Sequence, residues 1–235
     1  MKTLSLVVPV YNAPDLARSL VGKIPELERA AEASGFRLVE TIIVDDGSKP
    51  PLSADGLCGA VLLRNDPNRG KGFSVRRGAL AAKGDWVLMS DVDLSSPFSE
   101  FSRLATRCDA WMVCGSRAGR RGMPALRRFL SCLFRIAVRI AGVSGVRDTQ
   151  CGFKLFRMDA MRPVFEAQKI ERFAFDVELI RLVRLAGGTV AEVPVEWRGG
   201  SRSSLRVVSD APRMLWDLAR LRFGARLAPK KEGMR

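Results

Sequence analysis

The chain has 235 residues, 47% of them apolar and 27% charged, with a net charge of +14. That is enough for one large domain with a substantial core, or two small ones. It contains no histidine, which excludes Ser-His-Asp and Cys-His triads and imidazole metal sites, and leaves any chemistry to carboxylates, Arg, Lys, hydroxyls and oxygen-liganded metals.

The first half alternates strand and helix signals. Leu4–Val10 is a Leu/Val-rich run ended by Asn12 and Pro14. Leu16 to Ala33 has helical spacing, with Leu16, Leu20, Ile24 and Leu27 on one side. Leu38–Val44 is a second buried strand, closed by Asp45-Asp46-Gly47-Ser48, and Ala60–Leu63 a third. Phe73–Ala82 reads as a helix behind Arg69-Gly70-Lys71-Gly72. Trp86–Ser90 is a fourth strand running into Asp91-Val92-Asp93, and Ala110–Cys114 a fifth. Strands alternating with helices predict an α/β fold, a mostly parallel sheet covered on both faces. No repeat or Pro/Gly/Ser linker divides the chain, so one domain is expected over residues 1–207, followed by a basic extension over 208–235.

The second half is basic. Residues 1–109 carry 14 Lys+Arg and 14 Asp+Glu, whereas residues 110–235 carry 25 and 11. From Ala110 to Arg147 there are eight Arg and no acidic residue. Such a surface seeks polyanions: nucleic acid, anionic lipid or phosphorylated substrates. On a helical wheel of Ala125–Ala141, Arg127, Arg128, Ser131, Arg135 and Arg139 share an arc of about 120°, with Phe129, Leu130, Leu133, Ile136, Ala137 and Ile140 on the rest. This fits a helix lying in a membrane interface, or equally a core helix with a solvated Arg face. Met214 to Arg226 is a second basic amphipathic stretch, and two such segments favour the membrane.

Arg interrupts every apolar run short of the ~18 residues of a spanning helix. The apolar stretch after Met1-Lys2-Thr3 is too short for a signal peptide, so a cytoplasmic location is expected. The five cysteines (Cys58, Cys108, Cys114, Cys132, Cys151) are odd in number and form no C-x-x-C pair. They read as buried reduced thiols, neither a zinc site nor a disulfide frame.

In an open α/β sheet, ligands bind beyond the carboxyl ends of the strands. Three polar clusters fall there: Tyr11-Asn12, Asp45-Asp46 and Asp91-x-Asp93. Carboxylates at i and i+2 can share one hard divalent ion, which in turn grips a diphosphate. Lys71 and Arg76 are candidates to neutralise the same phosphates, or are simply helix-surface charge. A P-loop is excluded because Gly72 follows Lys71 and Asn65 stands where its first Gly belongs. A dinucleotide fingerprint is excluded by Val75 at its last Gly.

Val8-Pro-Val-Tyr-Asn12, Val44-Asp-Asp-Gly-Ser48, Asn68-Arg-Gly-Lys-Gly72, Asp91-Val-Asp93, Gly115-Ser-Arg117 and Asp148-Thr-Gln-Cys-Gly-Phe-Lys-Leu-Phe156 occur in that order. With Phe175-Asp-Val-Glu-Leu179, they resemble the inverting family-two glycosyltransferases of GT-A fold over roughly residues 3–207. Within that family the likeness is to the polyprenyl-phosphate hexosyltransferases, the dolichyl-phosphate β-glucosyltransferases being the nearest branch. The resemblance implies that Pro9, Val10, Tyr11, Asn12 and Asp45 or Asp46 hold the base and ribose of a nucleotide sugar, UDP-glucose being favoured over GDP-mannose. It implies that Asp91 and Asp93 hold Mg²⁺ or Mn²⁺ on the diphosphate. Arg117, Arg127 and Ser131 match positions near the acceptor phosphate and the reaction centre. Asp148 and Gln150 match positions lining the sugar pocket, and Asp176 the position where many relatives place a base. Ala13 replaces the family's frequent Glu, and Ser95 stands where mannosyl relatives have a third metal-side ligand. Ser203-Ser-Leu205 lacks the phosphate-binding Lys, whose part falls to Arg202 or Arg206. The partners so implied are a polyprenyl phosphate, an anionic membrane surface at the cytoplasmic face and a small membrane protein. A soluble acceptor is the alternative. A nucleic-acid binder is the reading from another class, and it lacks a recognition motif or interleaved aromatics.

Overall fold

The computed structural model describes residues 1–117, 125–198 and 207–224, with only the backbone for 125–131, 207–211 and 223–224. Nine apolar-rich residues open the chain as strand β1, Lys2–Val10. Pro14–Val21 (α1) and Ile24–Ala33 (α2) follow where one helix is predicted. The break at Gly22-Lys23 comes from Pro25 in the first turn of α2, which has no N–H to continue the ladder of α1 and crowds the preceding turn.

The remaining elements are β2, Phe36–Asp45; β3, Val61–Arg64; α3, Lys71–Ala81; β4, Trp86–Ser90; α4, Phe101–Ala105; and β5, Met112–Ser116. Then come α5, Ala125–Ile140; β6, Phe153–Arg157; α6, Met158–Ala167; α7, Phe175–Leu185; β7, Val190–Pro194; and α8, Val207–Gly224. The seven strands form one sheet in the order β3-β2-β1-β4-β6-β5-β7. All neighbours are parallel except β6, which runs antiparallel to both β4 and β5. The expected mostly parallel, helix-flanked sheet is therefore present, with one reversed strand in its middle.

Both faces are dry, as a parallel sheet requires. Leu4, Leu6 and Val8 of β1 face one core with Leu20, Leu27, Phe36, Phe101 and Leu104, so α1, α2 and α4 cover that side. Val7 faces the other with Ala79, Phe165, Val177 and Ile180, so α3, α6 and α7 cover the opposite side. Val138 and Ala141 of α5 and Leu218 and Leu221 of α8 belong to this second core. Leu218 and Leu221, from the expected C-terminal extension, thus pack on the body of the domain. Of the five cysteines, expected to be buried, Cys114 and Cys151 are; Cys108 is half-buried, and Cys58 and Cys132 are exposed because they sit in a surface loop and on the outer side of α5. The reversal at β6 matters for function. It returns the chain to the carboxyl end of β4, so that the loop preceding β6 lies against the Asp91 turn.

Candidate active site

Asn12, Asp45 and Asp46 build one wall of the site at the ends of β1 and β2. Asn12 donates its N–H to Ser48 Oγ (2.9 Å) and accepts from Lys49 N (2.9 Å). The Asp45 carboxylate is buried and accepts from Ser48 N (2.9 Å), Leu52 N (3.1 Å) and the Arg64 guanidinium. Burial pushes its pKa up, yet these hydrogen bonds outweigh it and hold the group below the ordinary carboxylate range. Asp46 accepts from Asn65 Nδ2 (2.8 Å), Asn68 Nδ2 (2.7 Å), Arg69 N (3.0 Å) and Gly70 N (2.8 Å). Both carboxylates therefore shape the loops around them, and every oxygen already has a partner within the protein. Val10 is buried, while Tyr11 is 52% exposed at the mouth of the wall.

The carboxylate pair sits at the end of β4. Asp91 N donates to Gly152 O (2.9 Å), and Asp91 Oδ1 lies 2.5 Å from Lys71 Nζ. Asp93 Oδ1 accepts from Ser95 N (3.0 Å), which tightens the turn. Gly152 is required here: a Cβ on it would stand 1.8 Å from Asp91 Oδ2. Lys71 is set just as firmly. Gly70 has φ 111°, and a Cβ there would meet Glu171 O at 2.6 Å; one on Gly72 would meet Phe175 Cβ at 2.6 Å. Only glycine lets the first turn of α3 press on the 170–175 segment and bring Lys71 to Asp91.

The loop before β6 and the start of α7 supply the rest. Asp148 forks Arg117, taking Nε at 2.6 Å and Nη2 at 2.5 Å, and also accepts from Arg117 N at 3.0 Å. Burial raises the Asp148 pKa, but the guanidinium prevails and holds the carboxyl below its ordinary range. The fork leaves Arg117 Nη1 unused by Asp148. Glu192 of β7 steadies this loop by accepting from Arg147 N (3.0 Å) and Asp148 N (2.8 Å). Asp176 is buried, 3.5 Å from Gln150 Nε2 and 2.8 Å from Lys154 Nζ. Lys154 is 0% exposed and also donates to Cys151 O. Burial raises the Asp176 pKa against the pull of Lys154, and the facing carboxylate keeps Lys154 firmly charged against burial.

The structure thus gathers Lys71, Asp91, Asp93, Arg117, Asp148, Gln150 and Asp176 at one end of the sheet. Arg76 is not brought there: its guanidinium reaches Glu166 O at the end of α6 (3.4 Å), one to two helical turns beyond Lys71. The side chains of Arg127 and Ser131, and all of Arg202, lie outside the described residues. Lys154 and Glu192 also belong to the site, though no role for either follows from the motifs. Lys154 had a signal, because a lysine inside the apolar run Phe153-Lys154-Leu155-Phe156 demands a buried partner. Glu192 had none, since its partners are backbone amides of a distant loop.

The profile described as "Glycosyl transferase family 2" matches residues 5–165. The chain belongs to this family. It is accordingly a glycosyltransferase enzyme. The dolichyl-phosphate beta-glucosyltransferase of Dictyostelium discoideum is 35% identical over 94% of this chain and 74% of its own length. That of Homo sapiens is 33% identical over 83% of this chain and 67% of its own. Among solved structures, glucosyl-3-phosphoglycerate synthase from Mycobacterium tuberculosis in complex with UDP superposes with a TM-score of 0.67 at 18% identity, over 97% of this chain and 82% of that one. The same synthase was also crystallised with Mn²⁺ and UDP-glucose. At that identity the likeness establishes the GT-A fold.

The donor set suits a hard divalent ion. Two carboxylates at the end of one strand offer the oxygen ligands such an ion takes; among the described residues no group of three or more His, Cys, Asp or Glu side chains is gathered for a metal, at this site or elsewhere.

Proposed function

We propose that this enzyme transfers glucose from UDP-glucose to a polyprenyl phosphate, inverting the anomeric centre, at a membrane surface. The observation that carries the proposal is the convergence of Asp91, Asp93, Lys71, Gln150 and the Arg117–Asp148 fork on one strand-end site, in a chain whose curated relatives are named for transfer to dolichyl phosphate.

In this mechanism Asp91 and Asp93 are the residues that would hold a divalent ion. When bound, that ion stabilises the negative charge that gathers on the departing diphosphate. Lys71 adds a second positive charge on the same side, and Asp148 and Gln150 orient the sugar. The acceptor phosphate is anionic at neutral pH and attacks the anomeric carbon without a strong base. Asp176, facing the Lys154 ammonium at 2.8 Å, serves in this scheme as a fixed counter-charge, and no proton needs to move to it. Arg117 meets the acceptor through the Nη1 edge that Asp148 leaves over, which fixes the nucleophile in line.

The membrane part rests on α5 and α8. Val138 and Ala141 of α5 are buried, while Leu133, Ile136 and Ile140 are exposed beside exposed Arg135 and Arg139. On α8, Leu215 and Trp216 are exposed beside Arg213, Arg220 and Arg222. Each helix uses one face for the core and offers a second, greasy and basic, to its surroundings. That fits an anionic lipid surface. No helix among the described residues is long and apolar enough to cross a membrane.

Calorimetry with UDP-glucose and GDP-mannose, each with Mn²⁺, tests the donor. UDP-glucose is expected to bind at least tenfold tighter, and a preference for GDP-mannose contradicts the assignment. NMR of the product's anomeric coupling then reads a β-linked phosphate if the α-linked donor is inverted.

A further inference from the structure

Four charged groups alternate at the centre of the site, Lys71 with Asp91 at 2.5 Å and Lys154 with Asp176 at 2.8 Å. The two pairs sum to zero charge. Their freedom differs sharply. Lys154 is fully buried and tied to both Asp176 and Cys151 O, so it cannot change partner. The Arg117 guanidinium is forked by Asp148. Lys71 has a 21% exposed side chain and, among the described residues, Asp91 as its carboxylate partner. The start of α3 is immobilised against the 170–175 segment, with Phe73 N bonded to Glu171 O at 2.9 Å. Only the four-carbon stem of Lys71 is left to move. The Asp91 carboxylate packs against Gly152 through Oδ2 and is held there by Asp91 N donating to Gly152 O at 2.9 Å, so in the wild-type chain its Oδ1 stays beside Lys71.

We infer that Lys71 and a divalent cation are competing partners of Asp91, so that the cation enters together with a nucleotide diphosphate, which takes over the displaced ammonium, and not ahead of it. This rests on the nucleotide-sugar donor proposed above. A bare divalent ion entering beside Lys71 places three positive charges against the two negative charges of Asp91 and Asp93, and like charges at such close range repel strongly in a partly buried site. A diphosphate entering with the ion resolves the conflict by giving Lys71 an anionic partner. Because linkage is reciprocal, nucleotide and cation must raise each other's affinity by the same factor, and Lys71 sets part of that factor.

Mn²⁺ binding to the full chain, read by electron paramagnetic resonance of the free ion with and without UDP, tests this without any turnover. Wild-type protein is expected to bind Mn²⁺ weakly alone and much more tightly with UDP. Lys71→Met is expected to bind Mn²⁺ alone about tenfold or more tighter than wild type, and to show a smaller enhancement by UDP. Lys71→Arg, which keeps the charge, is expected to retain the weak binding of wild type, and its melting temperature and that of Lys71→Met verify folding. A Lys71→Met protein that binds Mn²⁺ no tighter than wild type, while wild type still binds Mn²⁺ with UDP, overturns the inference alone. Wild-type protein that binds no Mn²⁺ even with UDP overturns the donor assignment along with it.

Discussion

Gly152 holds the most exacting steric position in the site, and its effect is separable from the fold. An added Cβ would stand 1.8 Å from Asp91 Oδ2. In Gly152→Ala the Asp91 side chain must swing away while the strands beneath keep their pairing. Displacing a positioning group by ~1 Å can lower a rate on the order of a hundredfold. Steady-state kinetics should therefore show a fall of about that size, with a melting temperature within a few degrees of wild type. Asp93→Asn should likewise remove Mn²⁺-dependent turnover and leave thermal unfolding unchanged; full activity at saturating Mn²⁺ counts against Asp93 as a ligand. The Asp148–Arg117 fork carries a pH signature. The Asp148 carboxyl lies below its ordinary 3.8 in the folded protein, so its stabilisation is complete above the unfolded value and fades as pH falls through the folded one. Asp148→Asn should be less stable than wild type by about 1.5–3 kcal/mol at pH 7, and urea unfolding should show that gap closing toward pH 3. The sequence made Asp91, Asp93, Asp148, Gln150 and Asp176 legible through their motifs. It left Lys154 unread because its partner, Asp176, is twenty-two residues away, a pairing only the tertiary fold reveals. Lys154→Met strands the Asp176 charge in the core, and denaturant titration should register a loss of about 3–5 kcal/mol.

At the level of elements, strands in the first half were readable because each is an apolar run closed by Gly, Pro, Asn or Asp. Strands β6 and β7 were not. Lys154 interrupts the apolar run of β6, and β7 reads Val-Ala-Glu-Val-Pro with only partial burial. The single helix expected over Leu16 to Ala33 divides into α1 and α2, since the spacing of apolar residues outlasts the hydrogen-bond ladder that Pro25 interrupts. Helix α5 is open in sequence between core and interface; the structure buries Val138 and Ala141 on one face and leaves Leu133, Ile136 and Ile140 exposed on another. Leu133, Ile136 and Ile140 fall within an arc of about 60° on the wheel, next to Arg135 and Arg139. Ile136→Glu combined with Trp216→Ser should abolish flotation with liposomes containing anionic lipid, with no change in unfolding temperature because both side chains are exposed. Wild-type protein that fails to float with either anionic or neutral vesicles contradicts the membrane surface.

Across the whole molecule, charge and chemistry divide along the chain. The balanced first half supplies β1 to β4 and the carboxylate pair, whereas the basic half from 110 onward supplies Arg117, α5 and α8. This division was visible in composition alone; how it comes together in space was not, because it depends on β6 reversing between β4 and β5. The reversal carries the Asp148–Gly152 loop onto the donor-side carboxylates and so joins the two halves into one site. On the proposed function, this joined site moves glucose to a lipid phosphate. Transfer of radiolabelled glucose from UDP-glucose to a short polyprenyl phosphate, in the presence of Mn²⁺ and followed by organic extraction, measures it directly. We predict label in the organic phase, released as glucose by mild acid and lost in Asp93→Asn. Label that stays aqueous with the polyprenyl phosphate but appears on a soluble phosphorylated acceptor would contradict it.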